Sequence, residues 1–143
     1  MRKVILAMIA LGFLSLVNIF LPRYADLPYW FNHAMHFLGG CFAGILSGAV
    51  MLLLLGRRRN SDEALCFILV CLAIFFGAIA LGAMWEELEY LYFSKEILEE
   101  WSWLGLYDDT LIDMKMNRWG ASAALVLFML LHILRRFRKF SRK

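Results

Sequence analysis

Four apolar stretches limit what this chain can fold into: Val4 to Leu21, Ala34 to Leu55, Ala64 to Met84 and Trp119 to Leu134. Crossing about 30 Å of hydrocarbon takes about 20 mostly apolar residues, and only a helix or a closed barrel satisfies its own backbone there. Composition points the same way. Of the 143 residues 62% are hydrophobic and 19% charged, against about half and about a quarter in soluble domains. The expected fold is all-α: one polytopic domain over residues 1-143, with four transmembrane helices at about 4-21, 33-55, 64-93 and 109-135.

Arg2 and Lys3 before the first run could open a signal peptide. That run is long for such a segment, and Pro22-Arg23-Tyr24 stands where small residues would mark cleavage, so it is expected to remain as a helix. Pro22 and Pro28 both fall between the first two runs, where a missing backbone donor does least harm.

Of the 15 Lys and Arg, all but Arg23, Lys95, Lys115 and Arg118 lie at the ends that alternate crossings bring to one side. The positive-inside rule makes that side cytoplasmic, with both termini on it. Every Trp and every Tyr falls on the other half, as an interfacial belt does. The basic tail RRFRKFSRK directly follows a crossing, so it reads as an anchor on anionic lipid. No nucleic-acid partner is expected. Cys41, Cys66 and Cys71 lie within apolar runs, where free cysteine behaves as a small apolar residue.

Depth singles out a set of polar residues. From Arg57 back to His36 is 21 residues, from Glu63 to Glu86 is 23, and from Arg135 back to Asp113 is 22. At 1.5 Å per residue these are spans of about 32 to 35 Å. Three helices therefore deliver titratable groups to one level near the outer boundary. His36, Gly40, Gly44 and Gly48 form a four-residue row, a glycine ridge suited to close approach by a neighbouring helix. The same ridge could pair two copies of the chain. Asp109, Asp113, Asn117 and Ala121 form a second row.

Ionisable groups at membrane depth usually face a bundle interior and often mark function. His33, His36, Glu86, Asp109 and Asp113 match the donor set of a divalent metal such as zinc or manganese. Alternatively His36, Glu86 and Asp113 could transfer protons as catalytic acid and base, with Asn117 orienting a neighbour. Glu87, Glu89, Glu96, Glu99 and Glu100 read instead as solvated interfacial charges. The segment SKEILEEWSWLGLY suits an outer interfacial segment covering the site.

Other chemistries lack their residues. His132 lies three residues from Arg135, at the opposite end from His36, so the two cannot share a haem iron. There is no GxSxG elbow and no phosphate-cradling glycine loop.

The combination of His36-Phe37 with Gly39-Gly40, Trp85-Glu86, and DDTLIDMKMNRWGA from Asp108 to Ala121 resembles the VanZ-like integral membrane proteins, and is similar to their YjdF-like relatives in particular. The resemblance covers roughly residues 30 to 130, and the D-x-x-x-N-x-x-G pattern of that group maps onto Asp113, Asn117 and Gly120. Its third-helix glutamate falls in WEELEY, where Glu86, Glu87 and Glu89 all remain candidates. VanZ itself is associated with teicoplanin resistance. The resemblance implies a bacterial cytoplasmic (inner) membrane location, an extracytoplasmic site, and a cell-envelope lipid or lipid-linked precursor as ligand. The competing expectation is a noncatalytic scaffold or partner subunit whose polar cluster is a structural clasp; enzyme or not stays open here.

Overall fold

The computed structural model describes residues 30–56, 62–97 and 103–141, together with Leu6, Ile9, Gly12, Phe13 and Val17. Three helices make up the described fold: α1 (Trp30–Leu55), α2 (Glu63–Ile97) and α3 (Trp103–Phe140). Each packs against both of the others.

Local chemistry sets the helix ends. Asp62 caps α2, its carboxylate accepting a hydrogen bond from the Ala64 amide at 2.9 Å and so satisfying one of the donors that every helix start leaves open. At the end of α1 the Gly56 amide donates to the Leu52 carbonyl. Within α3 the Ser122 hydroxyl donates to the Arg118 carbonyl at 2.9 Å. That bond keeps an exposed hydroxyl satisfied on a lipid-facing surface.

The helices are long and apolar enough to cross a membrane over Trp30–Leu55, Glu63–Leu88 and Asp108–Arg138. Large side chains such as Leu52, Phe76 and Leu130 are half exposed or more, far beyond what a water-facing surface carries. The interior is narrow by contrast. Ala43, Ala78 and Ala121 form a central layer, and Val70, Ile74 and Ala124 a layer nearer the Leu55 end of α1. Lipid is as apolar as a leucine side chain, so helices here associate through close backbone packing. Gly40 and Gly120 supply it. A Cβ on Gly40 would strike the Asn117 backbone, and one on Gly120 the Phe37 carbonyl. Gly44 and Gly48 continue the ridge against Ile74 of α2.

Twenty-three residues separate Glu63 from Glu86 on α2, and twenty-three separate Asp113 from Arg136 on α3. The structure pairs the two helices at both limits of that interval. Arg136 Nη2 lies 3.3 Å from Glu63 Oε1 at one end, and Glu86 and Asp113 converge on His36 at the other. Near the Arg136 end, Phe67 packs on His132 with ring centroids 4.6 Å apart.

One expectation is corrected. The four transmembrane helices become three, because three candidate spans are present among the described residues. Apolar length allows a crossing, but a bundle member must also bury a face. Leu6, Ile9 and Phe13 of the first run are 64%, 63% and 65% exposed, and the buried core among the described residues comes from α1, α2 and α3. Of the rest of that run Gly12, exposed, and Val17, half-buried, are also described. An even number of crossings was the basis for placing both termini on the cytoplasmic side, and three spans remove it. The outer segment between the last two helices is largely helical. Ser94 to Ile97 continues α2 and Trp103 to Tyr107 opens α3. Only residues 98–102 stand between them, outside the described residues.

Candidate functional site

Among the described residues three polar side chains are buried: His36 at 4% exposure, Asp113 at 3% and Asn117 at 6%. They occupy the level just beyond the alanine layer, toward the starts of α1 and α3. His36 lies six residues into its span, Asp113 five residues into its own, and Glu86 two residues from the end of its span. One ligand atom from each of His36, Glu86 and Asp113 lies within 4.8 Å of the others.

Asp113 meets three polar side chains of α1. Asn32 Nδ2 donates to its Oδ2 at 3.0 Å, His33 Nδ1 lies 3.3 Å from Oδ1, and His36 Nε2 lies 3.3 Å from Oδ2. All three neighbours belong to the first two turns of α1, where positions 32, 33 and 36 share one helix face. The α1–α3 backbone contact one turn deeper brings that face onto α3. Gly40 abuts Asn117 and Gly120 abuts Phe37, so the histidines meet Asp113 because the glycines leave room.

His36 engages both neighbouring helices through opposite edges of its ring. Nε2 faces Asp113 on α3, while Nδ1 lies 3.3 Å from Glu86 Oε1 on α2 and 3.4 Å from Asn117 Nδ2. The tautomer sets the roles: a proton on Nδ1 is donated toward Glu86, whereas a proton on Nε2 leaves Nδ1 to accept from the Asn117 amide. In the second case two acceptors stand 3.3 Å apart and need a proton or a cation between them. Gly82, one turn before Glu86 on α2, leaves room for Asn117: a Cβ there would lie 2.9 Å from Asn117 Nδ2.

The remaining expected site residues fall around this core. His33 contacts Asp113 without joining the three convergent ligand atoms. Asp109 is half-buried one turn before Asp113 and also stays outside that group. Glu87 is exposed, which leaves Glu86 as the carboxylate of the WEELEY run turned toward His36; the Glu89 side chain is outside the described residues. Asp108 and Asp109 lie in the second turn of α3, not at a cap. Asn32 was not anticipated, although it stands four residues before His36 on the same row as Gly40.

The family described as "Predicted membrane protein (DUF2238)" matches residues 2–133. No curated protein and no solved structure matches the chain. The match spans most of the sequence, and the chain belongs to this family.

Proposed function

We propose that this member of the DUF2238 family holds a divalent cation, such as zinc or manganese, between His36, Glu86 and Asp113, and that this centre binds or acts on the headgroup of an envelope lipid or lipid-linked precursor. The observation that carries the reading is that one ligand atom from each of His36, Glu86 and Asp113 lies within 4.8 Å of the others, with His36 Nδ1 and Glu86 Oε1 3.3 Å apart. Two carboxylates and a neutral imidazole carry a charge of minus two, which a divalent ion balances. Tetrahedral ligands at about 2.1 Å from a metal stand about 3.4 Å apart. His36 Nδ1 and Glu86 Oε1 already have that spacing. A cation at this place would supply Lewis acidity toward a phosphoryl or carbonyl oxygen, while Asn32, His33 and Asn117 hold the ligands in place.

Sidedness is part of the proposal. Arg135, Arg136 and Arg138 end α3 far from the cluster, and Arg57, Arg58 and Arg59 follow α1 in sequence. The positive-inside rule then assigns the cluster to the extracytoplasmic leaflet of a bacterial inner membrane. The resemblance to VanZ-like proteins supports an envelope lipid as the ligand.

A second reading is favoured by the bonds that already reach Asp113. Asn32 and His33 both contact it, and such a network can serve as a noncatalytic clasp between α1 and α3. Metal analysis of the purified protein in lipid nanodiscs separates the two readings. The metal centre predicts one divalent ion per chain, lost in His36→Ala and Asp113→Asn while helical circular dichroism is kept. A folded wild type without metal, whose variants keep the wild-type phenotype, would leave the clasp.

A further inference from the structure

Among the described residues the His36 centre is shut. His36 and Asp113 are buried, the Glu86 side chain is 11% exposed, and the gap leading toward them between α2 and α3 is too narrow for a water molecule. That gap is lined by Ile79, Gly82 and Ala83 of α2 and by Met114, Asn117 and Arg118 of α3. Ala83 and Arg118 are exposed, so one end of it faces the membrane, while Asn117 at the other reaches His36 Nδ1 at 3.4 Å. A cation or a headgroup meets the centre by this route only after a wall moves.

The seams around the centre are unequally built. Between α1 and α3 backbone meets backbone, at Gly40 against Asn117 and Gly120 against Phe37, and Asn32, His33 and His36 all reach Asp113. Such a seam parts only if packing and polar contacts break together. The outer part of α2 is held differently. Gly82 meets the side chain of Asn117 and not its backbone, and Glu86 approaches His36 through a side-chain contact of 3.3 Å. Side chains turn about single bonds, so contacts of this kind release without any change inside a helix. Deeper in the membrane α2 is fixed again. Gly77 packs on Ser47, and Ile74 on Gly44 and Gly48 of α1; Ala78 lies in the alanine layer, and Phe67 stacks on Phe128 of α3 with ring centroids 5.8 Å apart. Segments with few packed contacts open at lower free energy than those locked in a core. The second span ends at Leu88 but α2 runs on to Ile97, which gives its outer part a lever beyond the span.

We propose that the outer arm of α2, from Gly82 onward, is the moving wall of the His36 centre and swings away from α3 to open it sideways to the membrane. The inference rests on the reading of that centre as one that holds a cation and meets a headgroup, and it supplies their route of entry. Glu86 rides on the arm, so opening withdraws one ligand from the centre and closure returns it. One motion both exposes the site and loosens its hold on the cation.

The test uses the full chain in lipid nanodiscs, with Cys41, Cys66 and Cys71 replaced by alanine, and follows the loss of bound zinc to a chelator. Ala83→Cys with Met114→Cys puts a thiol on each wall of the gap, and a reducible bis-methanethiosulfonate linker ties the two. Linking is expected to slow zinc loss by about tenfold or more, by excluding a minor open state, and reductant to restore it. Glu63→Cys with Arg136→Cys, linked in the same way across the inner end, should leave the rate unchanged. No slowing with the outer link, or equal slowing with the inner one, would overturn the arm. Hydrogen exchange of the wild type gives a reading that needs neither zinc nor linker. Residues 82–88 of α2 should exchange faster than 32–44 of α1 and 113–121 of α3. Zinc held by a chain whose three segments are equally protected leaves the metal reading standing and overturns the moving wall, whereas a faster arm in a chain that binds no zinc supports the moving wall and overturns the metal reading.

Discussion

Gly120 of α3 lies so close to Phe37 of α1 that a methyl group added to the glycine would run into the Phe37 carbonyl oxygen. Gly40 has the same relation to the Asn117 backbone. Backbone cannot swing aside as a side chain can, so Gly40→Ala and Gly120→Ala should each cost at least the about 1–3 kcal/mol typical of overpacking. Gly39 is the internal control, since its added methyl would meet only Asn117 Oδ1 at an ordinary 3.7 Å. Thermal unfolding in detergent should show Gly39→Ala near wild type and both of the others well below it. Equal stability of all three would refute backbone contact between α1 and α3.

Asp113→Asn keeps the size of the side chain and removes its charge. The Asn32 and His33 contacts at 3.0 and 3.3 Å can be partly kept by an amide, so the variant should fold and yet bind divalent metal far more weakly. Isothermal titration with zinc measures this; wild-type affinity in the variant would remove Asp113 from the ligand set.

Asn117→Ala removes the amide 3.4 Å from His36 Nδ1. Loss of a group that orients a metal-binding histidine commonly weakens affinity by about 10–100-fold. Gly82→Ala should move in the same direction, because its methyl would lie 2.9 Å from Asn117 Nδ2 and push the amide away. An unchanged metal affinity in both would show that Asn117 does not position His36.

The Glu63–Arg136 pair spans α2 and α3 at 3.3 Å, but its side chains are 72% and 58% exposed. Exposed pairs contribute roughly 0–1 kcal/mol. Glu63→Gln should therefore leave the unfolding midpoint almost unchanged, and a large drop would reveal a stronger role in setting the register of these helices.

Sidedness is open to direct measurement. In a background with Cys41, Cys66 and Cys71 replaced by serine or alanine, a cysteine at Asp108 should react with a membrane-impermeant thiol reagent in intact cells. One at Ser141 should react only after permeabilisation. The reverse pattern would place the His36 centre on the cytoplasmic side.

Much of this arrangement can be read from spacing. A helix has a fixed rise, so counting from Arg57, Glu63 and Arg135 places His36, Glu86 and Asp113 at one level, and the structure has their ligand atoms within 4.8 Å of one another. The glycine row of α1 likewise implies a closely packed neighbour, and Gly40 meets Asn117. The number of crossings was misjudged because hydropathy registers length and apolarity, while the exposed Leu6, Ile9 and Phe13 show that burial against a neighbour is a separate requirement. The contact of Asn32 with Asp113 depends on the relative rotation of α1 and α3. Spacing within one helix carries no information about that angle. The segment from Ser94 to Tyr107 reads as interfacial because its Trp and Leu residues suit a membrane surface; most of it is helix, outside the spans Glu63–Leu88 and Asp108–Arg138.

His36 has a different helix at each edge of its ring, Glu86 of α2 near Nδ1 and Asp113 of α3 near Nε2. An imidazole that gains a proton on one nitrogen becomes more acidic at the other. Any event that draws charge toward Glu86 is therefore transmitted to Asp113 through a single aromatic ring, without movement of either helix. The two halves of the cluster are one electronic unit, and titrating or ligating one of them resets the other.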